Sequence, residues 1–387
     1  MKKDWKYKKL GEVAEIVGGS TPKTDIEEYW GGNHYWVTPA ELDGSKYIES
    51  TQRTITDKAI EKTNLSLLPS GTVLLSSRAP IGKVCITKSP MYCNQGFKNI
   101  VCGDSLYNEF VYYTLCNSVD YLQSLGTGAT FKEISKKVVE KVEIPVPSIE
   151  EQHQIVAELD LLSGMIEKQK AQIEELNKLA QSIFYDMFGD PVTNEKGWEV
   201  KKLKEICSKI TDGTHNSPTN DAYGAYMYIT AKNIKESGLS LDNITYVSEE
   251  VHRSIYERCN PVYGDVLYIK DGATTGIAVV NNLKEEFSLL SSVALLKPGP
   301  QLVNQYLKAV LNNPSEYKCI RSNMGGAAIT RLTIKKIEGI EIPLPPLSLQ
   351  QEFAAKIEAI EAMKAKARQS LKEAETLFNS RMDYYFN

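Results

Sequence analysis

The chain has 387 residues, 42% hydrophobic and 24% charged, with a net charge of −4. That length exceeds one ordinary hydrophobic core and that composition excludes disorder, so two or more packed domains are expected. No run of about 18 apolar residues would span a membrane. Met1-Lys2-Lys3-Asp4-Trp5-Lys6 lacks a signal peptide's apolar stretch, and seven scattered cysteines without a C-x-x-C pair fit a reducing cytoplasm with neither disulfide framework nor metal site.

In chain order, short β-like runs at 72–76 and 84–87 precede a helical stretch, Asn108–Asn117, and a run at 142–146. Pro145 and Pro147 stop that strand. Ser148-Ile149-Glu150-Glu151 then has the form of a capping box, in which serine accepts a backbone N–H and glutamate reaches back. The helix it opens is predicted to run to Phe188, ended by Gly189 and Pro191. Along it Ile155, Leu159, Leu162, Ile166, Gln169, Ile173, Leu176, Ala180, Ile183 and Met187 alternate steps of four and three. An average spacing of about 3.5 residues marks a coiled-coil seam, because a straight helix would drift off it.

Beyond Gly189 the β-like runs return at 265–269, 277–280 and 293–296, with a helical stretch at 304–313. A second long helix opens with Ser348-Leu349-Gln350-Gln351 after Pro345-Pro346. Phe353, Ile357, Ile360, Lys364, Ala367, Leu371, Ala374 and Phe378 follow the same seam spacing.

The chain is thus written twice. Residues 5–19 are echoed from Trp198 through Ile206, 193 positions later. Tyr35-Trp36-Val37-Thr38 matches Met227-Tyr228-Ile229-Thr230, and residues 69–74 match 261–267. Ile144-Pro145-Val146-Pro147 matches Ile342-Pro343-Leu344-Pro345, now 198 apart, so small loop insertions separate the copies. The expected architecture is α+β: two pseudo-two-fold-related globular domains, 1–147 and 189–346, separated by two long antiparallel coiled-coil helices, 148–188 and 347–387. Rods of such length would hold the domains apart as a ruler.

Charge is uninformative about nucleic acid. Residues 1–150 carry 18 basic and 18 acidic side chains, as do residues 190–346, and the acidic surplus lies in residues 151–189. Enzymatic motifs are missing. Asp190-Pro191-Val192, Asn260-Pro261-Val262 and Asn313-Pro314-Ser315 do not make a methyltransferase's Asn/Asp-Pro-Pro-aromatic motif. No phosphate-binding G-x-x-x-x-G-K-[ST] loop occurs. Asp190, Glu199 and Lys201 read as a linker entering a strand rather than as a nuclease centre. No catalytic or metal-binding set is therefore assigned.

What remain are polar, glycine-containing loops at matching places in both domains. In the first they carry Thr21, Lys23, Thr38, Arg78, Lys83, Asn94, Gln95, Lys98, Thr130 and Lys132. In the second they carry Thr214, His215, Asn216, Thr230, Lys232, Asn233, Lys270, Thr274, Thr275 and Arg331. Arginine and lysine suit guanine edges or phosphate, and asparagine and glutamine suit adenine, so these are the expected DNA contacts.

The runs 74–83, 93–98 and 126–152, with 211–215 and 270–276 in the second half, resemble type I restriction specificity subunits over the whole chain. The resemblance implies two target-recognition domains, each reading one half of an asymmetric bipartite site in double-stranded DNA. It implies helices that dock two modification subunits, which bind S-adenosylmethionine and methylate adenine, with restriction subunits using ATP and Mg. This chain itself would bind no cofactor and catalyse nothing. Two departures stand out: Lys364 lies on the second seam, and the loop from Ser76 to Gly82 is not repeated literally. A duplicated coiled-coil scaffold that does not bind DNA, or a single-chain modification–restriction enzyme, are the competing readings.

Overall fold

The computed structural model describes residues 5–78, 80–128, 132–322 and 331–387. It divides into two compact units, Met1–Lys170 with Gln369–Asn387, and Ala171–Arg368. Each unit holds one globular domain and a portion of both long helices.

In the first unit a five-stranded sheet runs in the order Ala14–Gly18, Lys98–Cys102, Val73–Leu75, Val84–Thr87 and Tyr47–Ile48. Beside it Trp30–Val37 pairs antiparallel with Thr54–Ile55 and parallel with Tyr92–Cys93. Lys6–Lys9 clips to Glu143–Val146, with Lys6 opposite Val146. The second unit repeats this plan. Its four-stranded sheet runs Cys207–Asp212, Val293–Pro298, Val266–Ile269 and Ala278–Val280. Tyr226–Ile229 pairs antiparallel with Thr245–Val247 and parallel with Phe287–Leu289, and Val200–Lys202 clips to Glu341–Pro343.

The central strands are apolar throughout because both sheet faces are covered. Strand residues alternate faces, so Val73 and Leu75 enter one core and Leu74 another. Val266 and Tyr268 are likewise divided from Leu267 and Ile269 in the second unit.

The long helices are Ile149–Phe188 and Leu347–Phe386, 40 residues each. Ser148 accepts the Glu151 N–H at 3.2 Å, the serine half of the expected cap. The second helix starts one residue before Ser348, because the N–H groups of Leu349 and Gln350 reach the Pro346 carbonyl at 3.0 and 3.2 Å.

In the first unit Ile155 and Leu159 share a buried cluster with Phe110, Tyr113 and Met382, against which Phe378 packs. Arg381 donates to Glu158 at 2.9 Å there, so the start of one helix lies beside the end of the other. In the second unit Leu176, Phe184 and Phe188 pack with Phe353, Ile357 and Ile360, and Ile183 packs against them, so the end of the first helix meets the start of the second. Within each unit the pairing is antiparallel. Leu162 and Ile166 are buried along the seam, and Ile173 and Leu371 are half-buried. Lys364 is buried as well, its ammonium 3.0 Å from Glu361 one turn away. No helix among the described residues is long and apolar enough to cross a membrane.

Candidate nucleic-acid interface

The polar loops of each unit are stitched together by backbone hydrogen bonds. In the first unit Ser20 N–H reaches the Cys93 carbonyl at 2.9 Å, Asn94 N–H reaches Val37 at 3.1 Å, and Ser77 N–H reaches Gly96 at 2.7 Å. The Ile134 N–H closes the set on the Ser77 carbonyl at 3.0 Å. Gly19 has to be glycine, since a Cβ there would lie 1.9 Å from the Asn94 carbonyl oxygen. The second unit has matching links. Lys270 N–H reaches Ser292 at 2.9 Å, Leu332 N–H reaches Lys270 at 2.8 Å, and Thr214 N–H reaches Leu289 at 2.9 Å. Loops distant in sequence therefore form one contiguous polar surface in each unit.

Within these surfaces some expected contacts are engaged internally. Thr38 caps a short turn through Glu41, its N–H at 2.8 Å and hydroxyl at 3.0 Å from the carboxylate. Lys83 donates to the carbonyls of Pro39 at 3.1 Å and Leu42 at 2.8 Å, closing that turn from behind. Thr230 and Asn233 make the matching cap at 3.0 and 3.2 Å, with Asn233 buried. Asn94 accepts the Gly96 N–H at 2.9 Å. Thr275 is buried and donates to the Gly272 carbonyl at 2.7 Å, and the Thr214 hydroxyl reaches Asn216 at 3.0 Å.

Other expected contacts reach solvent. Lys23, Gln95, Lys132, His215, Asn216, Lys232 and Thr274 are exposed, and the half-buried Thr21 donates to Gln95. Thr130 lies outside the described residues.

Two ionic clusters organise the surfaces, and carboxylates that the sequence did not single out are central to both. In the first, Arg78 Nε donates to Glu133 Oε2 at 2.9 Å, and Lys98 Nζ approaches Glu133 Oε1 at 3.4 Å and the Ser77 hydroxyl at 3.2 Å. Partial burial pushes the Glu133 carboxyl up, but its bonds to Arg78 and the charge of Lys98 outweigh this and hold it below its ordinary value. In the second, Lys270 is buried, with Nζ 3.3 Å from Asp212 and 3.2 Å from Asp271. Asp212 is also met by Arg258 at 3.0 Å and His215 at 3.3 Å, and Asp271 by Arg331 Nε at 3.2 Å. Lys270 thus cross-links two carboxylates from inside. Arg258, which also donates to the Gly213 carbonyl at 2.5 Å, carried no sequence signal because its partners lie in other loops.

Asp190 accepts the Val192 N–H at 2.8 Å and the Ser315 hydroxyl at 2.5 Å, which makes it a turn-closing residue. Among the described residues no group of three or more His, Cys, Asp or Glu side chains is placed to hold a metal ion.

The family model described as the type I restriction modification DNA specificity domain matches this chain twice, over residues 2–178 and 195–375. The chain belongs to the type I restriction–modification DNA specificity family. Among its specificity-family relatives, the MjaIX specificity subunit of Methanocaldococcus jannaschii is 33% identical over 381 residues, covering 92% of this chain and 87% of that protein. The MjaVIII specificity subunit of the same organism is 23% identical and covers 96% of this chain and 90% of that one. The fold is shared with the S subunit of a type I system from M. genitalium, with a TM-score of 0.62 at 15% identity over 98% of this chain and 96% of that chain. Each of the two matches in this specificity-family chain runs through a globular domain into the long helix that follows it.

Proposed function

We propose that the chain is the DNA-reading subunit of a type I restriction–modification complex, each domain recognising one half of a bipartite, asymmetric site. It catalyses no step and binds no cofactor. Modification subunits, two per chain and docked on the paired helices, bring S-adenosylmethionine and methylate adenine. Restriction subunits bring ATP and Mg.

The observation that supports this reading best is the recurrence of the same hydrogen-bonded loop set, with different side chains, in both units. A conserved frame with altered polar tips is what two readers of different sequences need, since base edges are told apart by donor and acceptor placement. A phosphate-gripping scaffold would need no such difference.

The test is reconstitution. The methyltransferase partner should methylate DNA only when this chain is added, and the chain with S-adenosylmethionine alone should transfer nothing. Exchanging residues 1–147 for the matching domain of a relative should change one half of the methylated motif. Methyl transfer by the chain alone, or a swap that alters both halves equally, would overturn the reading.

A further inference from the structure

The two ionic clusters are the same device built from different positions. Arg78 pairs with Glu133 across an isolated antiparallel bridge, and Asp271 pairs with Arg331 across another. The bridges are equivalent. Residue 271 follows 78 by the 193-residue repeat offset, and 331 follows 133 by the 198-residue offset. The adjoining backbone bonds, Ile134 to Ser77 and Leu332 to Lys270, coincide as well. Yet the charges are exchanged: the arginine sits on the earlier loop in the first domain and on the later one in the second.

In both domains one carboxylate oxygen faces an arginine Nε, hydrogen-bonded at 2.9 Å for Arg78 and ion-paired at 3.2 Å for Arg331, and the other faces a sequestered lysine, Lys98 at 12% exposure and Lys270 at 2%. Both arginines are open to solvent, at 46% and 55%. At both arginines the nitrogen facing the carboxylate is Nε, and a guanidinium engaged there still carries the fork of N–H donors on its two Nη groups.

We infer that Arg78 and Arg331 each read one guanine through this fork, and that Glu133 with Lys98, and Asp271 with Lys270, are the positioning residues that aim it. The inference rests on the DNA-reading function proposed above and specifies its chemistry. Two parallel N–H donors match guanine O6 and N7, the commonest specific arginine contact in the major groove. A guanidinium already paired with a carboxylate through Nε loses less freedom on binding than a free one. The lysine keeps the carboxylate from swinging out to accept a base amino group. Because the arginine changes loops, the two guanines occupy different places within their half-sites.

The experiment uses the full chain assembled with its methyltransferase partner and maps the methylated motif by methylation-aware sequencing. If the unmodified complex shows no motif that depends on this chain, the DNA-reading function itself fails. Given a motif, Arg78→Lys keeps the charge but not the fork. It should relax a single guanine position in one half-site roughly tenfold to a hundredfold. Glu133→Gln should relax that same position, and Glu133→Asp should restore part of the preference, which a merely structural carboxylate would not do. Arg331→Lys and Asp271→Asn should act together on one position of the other half-site. A uniform loss of affinity with the motif intact and the salt dependence reduced would identify a phosphate contact. That result, or an unchanged motif, would overturn the guanine assignment.

Discussion

Gln152 and Gln350, both fully buried, make the same three hydrogen bonds in their separate units. Gln152 Oε1 accepts the Tyr107 N–H at 2.8 Å, while Nε2 donates to the carbonyls of Ser105 at 2.9 Å and Pro147 at 3.0 Å. Gln350 Oε1 accepts the Val303 N–H at 2.9 Å, and Nε2 donates to Gln301 at 3.1 Å and Pro345 at 2.8 Å. Each amide pins the first turn of a long helix to the residue just before a short helix of the domain, Asn108–Asn117 or Asn304–Leu311.

Replacing either glutamine by leucine fills the space but leaves three backbone groups without partners. An unsatisfied buried group costs about 1–3 kcal/mol, and relaxation recovers part of it. Gln152→Leu and Gln350→Leu should therefore each lower unfolding free energy by about 2–4 kcal/mol in denaturant titration. A change below about 0.5 kcal/mol, the usual surface value, would show that the amide does not hold the helix in place.

Lys270 and Lys83 should respond differently to replacement by methionine. Lys270→Met removes the buried cation between Asp212 and Asp271 and leaves each with a more exposed one, Arg258 or Arg331, so the cost should be about 3 kcal/mol, the low end for a broken buried pair. Lys83→Met removes bonds to two carbonyls only and should cost about 1 kcal/mol. Equal melting shifts for the two variants would contradict the supporting role given to Lys270.

Glu316 should make the second unit less stable as pH rises. Burial, with the nearby charge of Asp190 adding to it, raises its carboxyl from 4.5 to about 7. Between those values the folded state holds more protons than the unfolded one, so stability is greatest below the window and falls across it. The loss is at most about 3 kcal/mol. Comparing chemical unfolding at pH 5 and pH 8, Glu316→Gln should show a smaller decline than the unmodified chain. An identical decline in both would remove Glu316 as its source.

Lys46 bridges two acidic side chains in the first unit, Glu109 at 2.6 Å and Asp160 at 2.5 Å, with hydroxyls of Tyr47 and Tyr113 donating to the same carboxylates. Burial raises the Glu109 carboxyl, but hydrogen bonds from Lys46 and Tyr47 outweigh it and leave the value lowered. A lowered value gives stability that is present above the unfolded value of 4.5 and fades as pH falls through the folded one. Lys46→Met should cost about 1–3 kcal/mol at pH 7, less than a fully buried pair because Asp160 is partly exposed. The deficit should shrink as pH falls through the lowered Glu109 value. A deficit independent of pH would point to lost packing instead.

The sequence by itself determined the duplication, the α+β character, the two long helices and their seams. These rest on local order: alternation of apolar residues, four-three spacing, and caps and prolines within a few positions of the elements they bound. It also pointed to the loops that form the polar surfaces, because glycine and polar residues recur there at the repeat interval. The tertiary structure alone decided which tips reach solvent. Lys83 and Lys270 read like any loop lysine, and their ammonium groups turn inward because carbonyls and carboxylates from distant loops wait there. Glu133 gave no signal, since its partner Arg78 lies 55 positions away. Asp271 and Arg331 show the same limit with the charges exchanged. An ion pair is a property of two positions brought together by the fold, and neither the period nor the composition of either segment encodes where the other will be.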